Sequence, residues 1–164
     1  MLPPLKVERY NIFPLLTAWD RSPRVKCGIS APDGKNSMTH HASGQTVAVV
    51  DDDPAILRSL ECLLESADYR VRLFASGAEL INSGCLAEVD CLVSDIEMPG
   101  MDGFALLRQV HASRPELPVL LITGYPETIK RLPADNQGGS RVFAKPFRGP
   151  ELLTAISDAL RSIQ

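Results

Sequence analysis

The sequence has few of the features that define several large classes of protein. It has no run of about 18 apolar residues, which is the length a helix needs to cross a bilayer. Met1–Pro14 lacks the basic start and continuous apolar stretch of a secretory signal. Its four cysteines form no CxxC pair, and the formal net charge of -3 leaves no basic surplus for nucleic acid. We therefore expect a cytoplasmic protein that contacts neither nucleic acid nor membrane directly.

The chain divides into two unequal parts near residue 44. Residues 1–43 carry six basic and three acidic side chains, five prolines and no sustained period of 2 or 3.6 residues. This composition predicts a poorly ordered extension over residues 1–44, and Met38 within it is a candidate alternative start of translation. Residues 45–164 carry regular apolar patterns and a net negative charge, which predict one folded domain.

Strand and helix patterns alternate along this second part. Short apolar runs rich in β-branched residues predict buried strands, and apolar residues three or four positions apart predict helices. The predicted strands are Thr46–Val50, Tyr69–Phe74, Val89–Ser94, Pro118–Ile122 and Arg141–Ala144; the predicted helices are Pro54–Ser66, Ser76–Asn82, Gly103–His111 and Pro150–Ile163. The alternation predicts an α/β fold, a doubly wound five-stranded parallel sheet with helices on both faces.

One helix in this series is expected to be irregular. The fourth helix in chain order falls over Glu127–Gln137, where Pro133 interrupts the pattern and Gly138 follows it. An interior proline removes a backbone hydrogen bond and clashes with the preceding turn. We expect either a weak, distorted helix or a loop.

Polar side chains follow four of the predicted strands where each strand ends. Three carboxylates, Asp51–Asp53, follow the first strand, while Asp95, Thr123 and Lys145 follow the third, fourth and fifth. The carboxyl ends of parallel strands meet at one edge, where ligands bind. Clustered carboxylates indicate a bound cation, and oxygen ligands favour Mg²⁺ or Ca²⁺ over zinc. A lysine and a hydroxyl beside that cation complete a site for a phosphoryl group.

The plainer alternative is that these acids only cap helices or lie in loops. For Asp53 we favour that alternative, because it immediately precedes Pro54 and suits an N-cap. For the whole set it explains little, because every strand end would have to match by accident.

These residues also carry a resemblance to a known family. Four segments resemble the signature segments of the response-regulator receiver domain in order and spacing: Val49–Pro54, Ser94–Gly103, Ile122–Tyr125 and Ala144–Phe147. The resemblance spans roughly residues 45–163 and is strongest to the subgroup typified by nitrogen-fixation regulators. It implies a flavodoxin-like receiver fold and a role in two-component signalling.

The resemblance implies a phosphoryl acceptor and a metal site. Asp95 would accept a phosphoryl group from a phosphohistidine on a sensor histidine kinase or phosphotransfer protein, giving an acyl phosphate. Mg²⁺ would be bound by Asp52, Asp95 and the backbone carbonyl of Glu97, with Asp51 supporting it through water. The protein would then be a signalling domain rather than an enzyme, apart from its own phosphorylation and slow dephosphorylation.

It also implies how the modification is sensed. Lys145 would pair with one phosphoryl oxygen, and Thr123 would move its hydroxyl onto another. Glu97 and Tyr125 fall at positions that tune hydrolysis of the acyl phosphate, and the Lys145–Pro146 peptide is expected to be cis. Val142 departs from the family pattern, which often has an aromatic switch residue there, so we expect switching to use Thr123 and residues 124–140.

Two alternatives remain at this point. Asp51 and Asp53 after a strand also resemble the opening motif of haloacid-dehalogenase-type phosphohydrolases, although that assignment leaves Asp95 unexplained. The other alternative is a pseudo-receiver that binds partners without phosphate. No DNA-binding output domain is evident, so we expect a stand-alone regulator that acts on an unidentified protein target or forms a phosphorylation-dependent homodimer.

Overall fold

The computed structural model describes residues 44–127 and 141–163. Within them lie five strands, four α-helices and a short 3-10 helix. The strands are β1 (Thr46–Val50), β2 (Arg70–Phe74), β3 (Cys91–Asp95), β4 (Val119–Thr123) and β5 (Arg141–Ala144); the helices are α1 (Pro54–Glu65), α2 (Gly77–Ser83), α3 (Gly103–Ser113) and α4 (Gly149–Arg161), with the 3-10 helix at Cys85–Glu88.

All five strands form one parallel sheet in the order β2-β1-β3-β4-β5. The chain moves outward from β1 to β2 and then returns past β1 to build β3, β4 and β5. The strand order therefore reverses between β1 and β3, which is where open α/β sheets leave a crevice for ligands.

The sheet has an apolar core on each face because successive strand residues point to opposite sides. Val47 and Val49 of β1 face one core, and Ala48 and Val50 face the other. The first core is completed by α1 and α4 through Leu57, Leu60, Leu64, Leu152, Ile156 and Leu160. The second is completed by α2 and α3 through Leu80, Leu106, Leu107 and Val110. The predicted parallel sheet with helices on both faces is confirmed.

Side-chain caps fix where three helices begin. The carboxylate of Asp53 accepts a hydrogen bond from the Ala55 amide at 2.8 Å, and Ser76 accepts one from the Glu79 amide at 3.2 Å. Asp102 does the same for the Ala105 amide at 2.7 Å. These bonds satisfy backbone donors that have no partner within the helix. The cap predicted at Asp53 is confirmed.

The observed elements differ from the predictions mainly at their ends. β3 begins at Cys91 rather than Val89, because Cys85–Glu88 forms a 3-10 helix that the apolar pattern did not indicate. β3 and β4 each extend one residue further than predicted, so that Asp95 and Thr123 pair with neighbouring strands. The irregular helix predicted over Glu127–Gln137 lies, beyond its first residue, outside the described part of the chain, as does nearly all of the predicted 1–44 extension. Among the described helices, none has the length and apolar character needed to span a membrane.

Candidate phosphoryl-acceptor site

Four side chains converge from four adjacent strands at the carboxyl edge of the sheet. Asp51 follows β1, Asp95 ends β3, Thr123 ends β4, and Lys145 follows β5. Asp51, Asp95 and Thr123 are buried, with exposed fractions of 2%, 4% and 0%. The edge therefore holds two nearly buried carboxylates, which need a compensating positive charge.

Lys145 supplies that charge. Its ammonium nitrogen Nζ lies 2.6 Å from Oδ1 of Asp95 and 3.5 Å from Oδ2 of Asp51. Burial opposes the charge on Lys145, but the hydrogen bond to Asp95 and the attraction of both carboxylates outweigh it, so the pKa of Lys145 is raised. One cation thus links the ends of β1, β3 and β5. The peptide bond from Lys145 to Pro146 is cis, as predicted.

Asp51 is the least satisfied group at this edge. Its Oδ1 accepts a hydrogen bond from the Asp53 amide at 2.8 Å, but its buried Oδ2 has no hydrogen-bond partner. Burial raises the pKa of Asp51 to about 6, although Lys145 and the Asp53 amide act in the opposite direction. A buried carboxylate oxygen without a hydrogen bond is costly, and the Lys145 ammonium at 3.5 Å is the cation that offsets this cost.

Thr123 is held by a second, separate carboxylate. Its hydroxyl donates to Oε1 of Glu97 at 2.5 Å and accepts from the Tyr125 amide at 2.9 Å. The other carboxylate oxygen of Glu97, Oε2, accepts from the Gly124 amide at 3.0 Å. Glu97 therefore fixes the end of β4 and the two residues after it.

The other acids of the first segment have different environments. Asp52 is exposed beside Asp51 and is free to take a ligand from solvent. Asp53 is also exposed, and its carboxylate is used to cap α1. The structure thus assigns three consecutive aspartates to three different environments.

The donors at this edge suit a magnesium ion. Within residues 44–127 and 141–163, no three carboxylate, histidine or cysteine side chains surround a common point closely enough to hold a metal as they stand. Oδ2 of Asp51 nevertheless is a buried anionic oxygen that has no hydrogen bond and lies 3.5 Å from the Lys145 ammonium, and Asp52, Asp95 and the Glu97 carbonyl would add only oxygen donors. Hard oxygen ligands of this kind fit Mg²⁺.

Gly103 is a site residue that sequence reasoning did not single out. A Cβ atom at Gly103 would lie 2.5 Å from the backbone oxygen of Asp95 and 2.8 Å from Cα of Ile96. The Gly103 amide also donates to the Ile96 carbonyl at 3.0 Å. Only glycine lets the start of α3 lie this close to the backbone of Asp95. The glycine after Asp102 was a visible signal, but its contact depends on the tertiary fold.

Phe143, the aromatic neighbour of Val142, does not take the place of the aromatic residue expected at position 142. Val142 packs into the core that contains α2 and α3. Phe143 points to the other face and packs edge-on against Phe147, with ring centroids 6.3 Å apart. The neighbouring phenylalanine therefore does not supply the aromatic ring missing at 142.

The fold and the site define a parallel α/β domain with a lysine-paired aspartate at its switch point. A family model for the response regulator receiver domain matches residues 47–157. The chain belongs to the response regulator receiver domain family, whose members are signalling domains of two-component systems.

Individual relatives agree with this assignment. The chain is 37% identical over 118 residues to the DNA-binding transcriptional regulator NtrC of Escherichia coli K12, covering 72% of this chain and 25% of that protein. It is 33% identical over 118 residues to the transcriptional regulatory protein FixJ of Bradyrhizobium diazoefficiens, covering 72% and 58%. The chain thus spans about a quarter to three fifths of the length of these curated relatives.

A solved structure gives the same result for the fold. The solution structure of the apo receiver domain of nitrogen regulatory protein C matches with a TM-score of 0.65 and 35% identity, covering 73% of this chain and 97% of that one. The predicted likeness to nitrogen regulators is confirmed.

Proposed function

We propose that this protein is a response regulator of a two-component phosphorelay that accepts a phosphoryl group on Asp95. The observation that supports this most strongly is the pairing of Asp95 with Lys145 at 2.6 Å, beside the unpartnered oxygen of Asp51, where the strand order reverses. The phosphodonor is proposed to be a sensor histidine kinase or a phosphotransfer protein, as the family implies.

The reaction needs no proton removal from the nucleophile. An oxygen of ionised Asp95 attacks the phosphorus of the phosphohistidine, a new O–P bond forms, and the P–N bond breaks with its electron pair returning to the imidazole. The Lys145 ammonium group, which is paired with the Asp95 carboxylate in the structure, would then pair with a phosphoryl oxygen of the acyl phosphate.

Asp51, Asp52, Asp95 and the Glu97 carbonyl would hold Mg²⁺. The chemistry that a bound Mg²⁺ supplies is neutralisation of the negative charge shared by the carboxylates and the phosphoryl group. The protein's own part is to keep Asp51 buried, short of hydrogen bonds and next to Asp95.

The response to phosphorylation is proposed to pass through Thr123. Its hydroxyl ends β4, the strand next to the one that carries Asp95, and it sits at the start of residues 124–140. A phosphoryl oxygen on Asp95 is a strong acceptor for that hydroxyl. Movement of Thr123 would change residues 124–140 and so alter the binding of a partner protein or a second copy of this chain.

The proposed output of this domain is altered binding of a partner protein. Transfer from a histidine kinase places the proposed action in the cytoplasm. The phosphohydrolase alternative is not favoured, because Asp53, which it needs as an acid or base, caps α1.

Incubation with acetyl phosphate and Mg²⁺, followed by intact-mass measurement, tests the proposal. The expected result is a gain of one phosphoryl group that is absent in Asp95→Ala and in the presence of a chelator. The matched control is Asp158→Ala, which removes a carboxylate on α4 that is bonded to Arg161 and lies far from the site. That variant should be phosphorylated normally. If wild type gains nothing and also fails to bind beryllofluoride, the protein is a phosphate-independent pseudo-receiver.

A further inference from the structure

We infer that the Glu97 side chain is a latch that holds the protein in its unphosphorylated conformation. This inference rests on the proposed function, because it concerns how the Asp95 site is regulated. The Glu97 carboxylate is bidentate: it accepts from the Thr123 hydroxyl at 2.5 Å and from the Gly124 amide at 3.0 Å. Both contacts are to the end of β4 and its following loop, which are the groups that must respond to phosphorylation.

The hydroxyl of Thr123 cannot serve two acceptors at once. It has a single proton and two acceptors within reach: the Glu97 carboxylate at 2.5 Å forms the shorter, charge-assisted bond, and the Tyr125 carbonyl lies at 3.1 Å. A phosphoryl oxygen on Asp95 needs the same proton. Glu97 and the phosphoryl group therefore compete for Thr123, and one must release it before the other binds.

Electrostatic repulsion favours the phosphoryl group over Glu97 in this competition for Thr123. The Glu97 carboxylate is bonded to Thr123 at the end of β4, the strand that pairs with β3, which ends at Asp95. Asp51 and Asp95 are both paired with Lys145, whereas no basic side chain is paired with Glu97 among the described residues. A dianionic phosphoryl group repels the Glu97 carboxylate, so phosphorylation weakens the latch as it creates the competing acceptor.

The latch makes a prediction for the unphosphorylated protein without metal. The Gly124 amide is bonded to Glu97, and the Tyr125 amide is bonded to the Thr123 hydroxyl that Glu97 holds. In Glu97→Ala, hydrogen exchange at both amides should be about tenfold faster or more, because the Gly124 amide loses its acceptor and the Tyr125 amide loses a fixed one. Glu65→Ala, which removes an exposed carboxylate at the end of α1, should leave both rates unchanged.

The decisive experiment measures beryllofluoride affinity, in the presence of Mg²⁺, in a double-mutant cycle. The four proteins are wild type, Glu97→Ala, Thr123→Val and the double variant, with Glu97→Gln as a second removal of the charge. Glu97→Ala should bind beryllofluoride about tenfold tighter than wild type, equivalent to about 1.4 kcal/mol. In the Thr123→Val background the gain should fall below about threefold, because there is no hydroxyl left to release.

The possible outcomes distinguish a failure of the latch from a failure of the proposed function. An equal gain in both backgrounds means that Glu97 acts by charge alone and overturns the latch. No gain in Glu97→Ala, with normal binding by wild type, also overturns it while leaving the proposed function intact. Failure of wild type itself to bind beryllofluoride is a failure of the proposed function instead. Unchanged exchange at Gly124 in metal-free Glu97→Ala contradicts the latch whichever of these results is found.

Discussion

The polar groups at the two ends of the sheet differ in how completely they are hydrogen-bonded. At the amino end, Asp90 accepts the Thr46 amide at 2.7 Å, and Nη1 of Arg114 donates to the carbonyls of Leu86 and Val89, each at 2.8 Å. At the carboxyl end, two buried carboxylates share Lys145 and one oxygen of Asp51 has no donor. The amino end pairs these polar groups within the protein, whereas at the carboxyl end two buried carboxylates share a single ammonium group.

This contrast reflects how parallel sheets are used. Polar residues stand at both ends of the buried strands, but they are paired differently: Thr46 and Asp90 at the amino end bond to each other, whereas Oδ2 of Asp51 at the carboxyl end has no hydrogen bond. A buried group without a hydrogen-bond partner lowers stability, so the carboxyl end gives up stability that the amino end keeps. Substitutions at the two ends should therefore differ in kind.

The largest expected effect is at the close approach of α3 to Asp95. Gly103→Ala places a methyl group 2.5 Å from the Asp95 carbonyl oxygen and should lower the free energy of unfolding by about 3 kcal/mol. It should also impair phosphorylation, because α3 can move away only by shifting the backbone of Asp95. Chemical denaturation and the acetyl phosphate assay measure the two effects.

The matched control for Gly103 is Gly149→Ala at the start of α4. The added methyl group there meets the flexible end of the Leu63 side chain at 3.0 Å rather than backbone. Stability should change by no more than about 1 kcal/mol, because the side chain can yield and alanine favours the helix. If Gly149→Ala lowers stability as much as Gly103→Ala does, the close contact with the Asp95 backbone is not the cause of the loss at Gly103.

At the amino end, Arg114→Ala should lower stability while leaving function intact. The substitution leaves the carbonyls of Leu86 and Val89 without their charged donor, and we expect a loss of about 2 kcal/mol. Phosphorylation by acetyl phosphate should remain at the wild-type level once the protein is folded. Arg58→Ala, which removes only an exposed pair with Glu61, serves as the control and should leave the denaturation midpoint unchanged.

At the carboxyl end, Asp51→Asn should raise the free energy of unfolding, whereas Arg114→Ala lowers it. Without metal at pH 7 the variant should be more stable than wild type by about 1–2 kcal/mol, because it removes a buried charge whose pKa is raised. It should also bind Mg²⁺ more weakly. Asp52→Asn should weaken Mg²⁺ binding without the gain in stability, because Asp52 is exposed. Equal stabilities for the two variants would contradict the difference in their environments.

The gain from Asp51→Asn should depend on pH. The pKa of Asp51 is about 6 in the folded protein and near 3.8 when unfolded, so the folded state binds its proton more tightly. The stability that Asp51 contributes is therefore full below about pH 4 and is lost as pH rises to about 6. The difference between wild type and Asp51→Asn should close as pH falls from 7 to 4 in chelator. A constant difference would show that the raised pKa is not its cause.

Much of the fold and of the cluster was predictable because both depend on short-range patterns. Thr46–Val50 and Arg141–Ala144 were predicted with their exact bounds, since polar or glycine-rich residues flank each apolar run. The convergence of Asp51, Asp95, Thr123 and Lys145 followed from the parallel sheet alone, because each residue ends a strand or directly follows one.

The parts that sequence could not give depend on contacts between distant segments. The Glu97 bond to Thr123 joins residues 26 positions apart through a loop, and the Gly103 contact arises only when α3 packs against β3. The start of β3 was placed at Val89 because that residue is apolar. In the structure Val89 follows a 3-10 helix, and Asp90 bonds to Thr46 twice: its amide donates to the Thr46 carbonyl at 2.8 Å, and its side chain accepts from the Thr46 amide at 2.7 Å.

The central claim is that Asp95, at the carboxyl end of the sheet, accepts the phosphoryl group. Chemical trapping of the aspartyl phosphate tests this claim most directly. Borohydride reduces an aspartyl phosphate to homoserine, so protein treated with acetyl phosphate and Mg²⁺ can be reduced, digested and mapped by mass spectrometry. The account predicts homoserine at position 95 and nowhere else. Homoserine at position 51 or 53, or at no position in a sample whose intact mass shows a phosphoryl group, would contradict it.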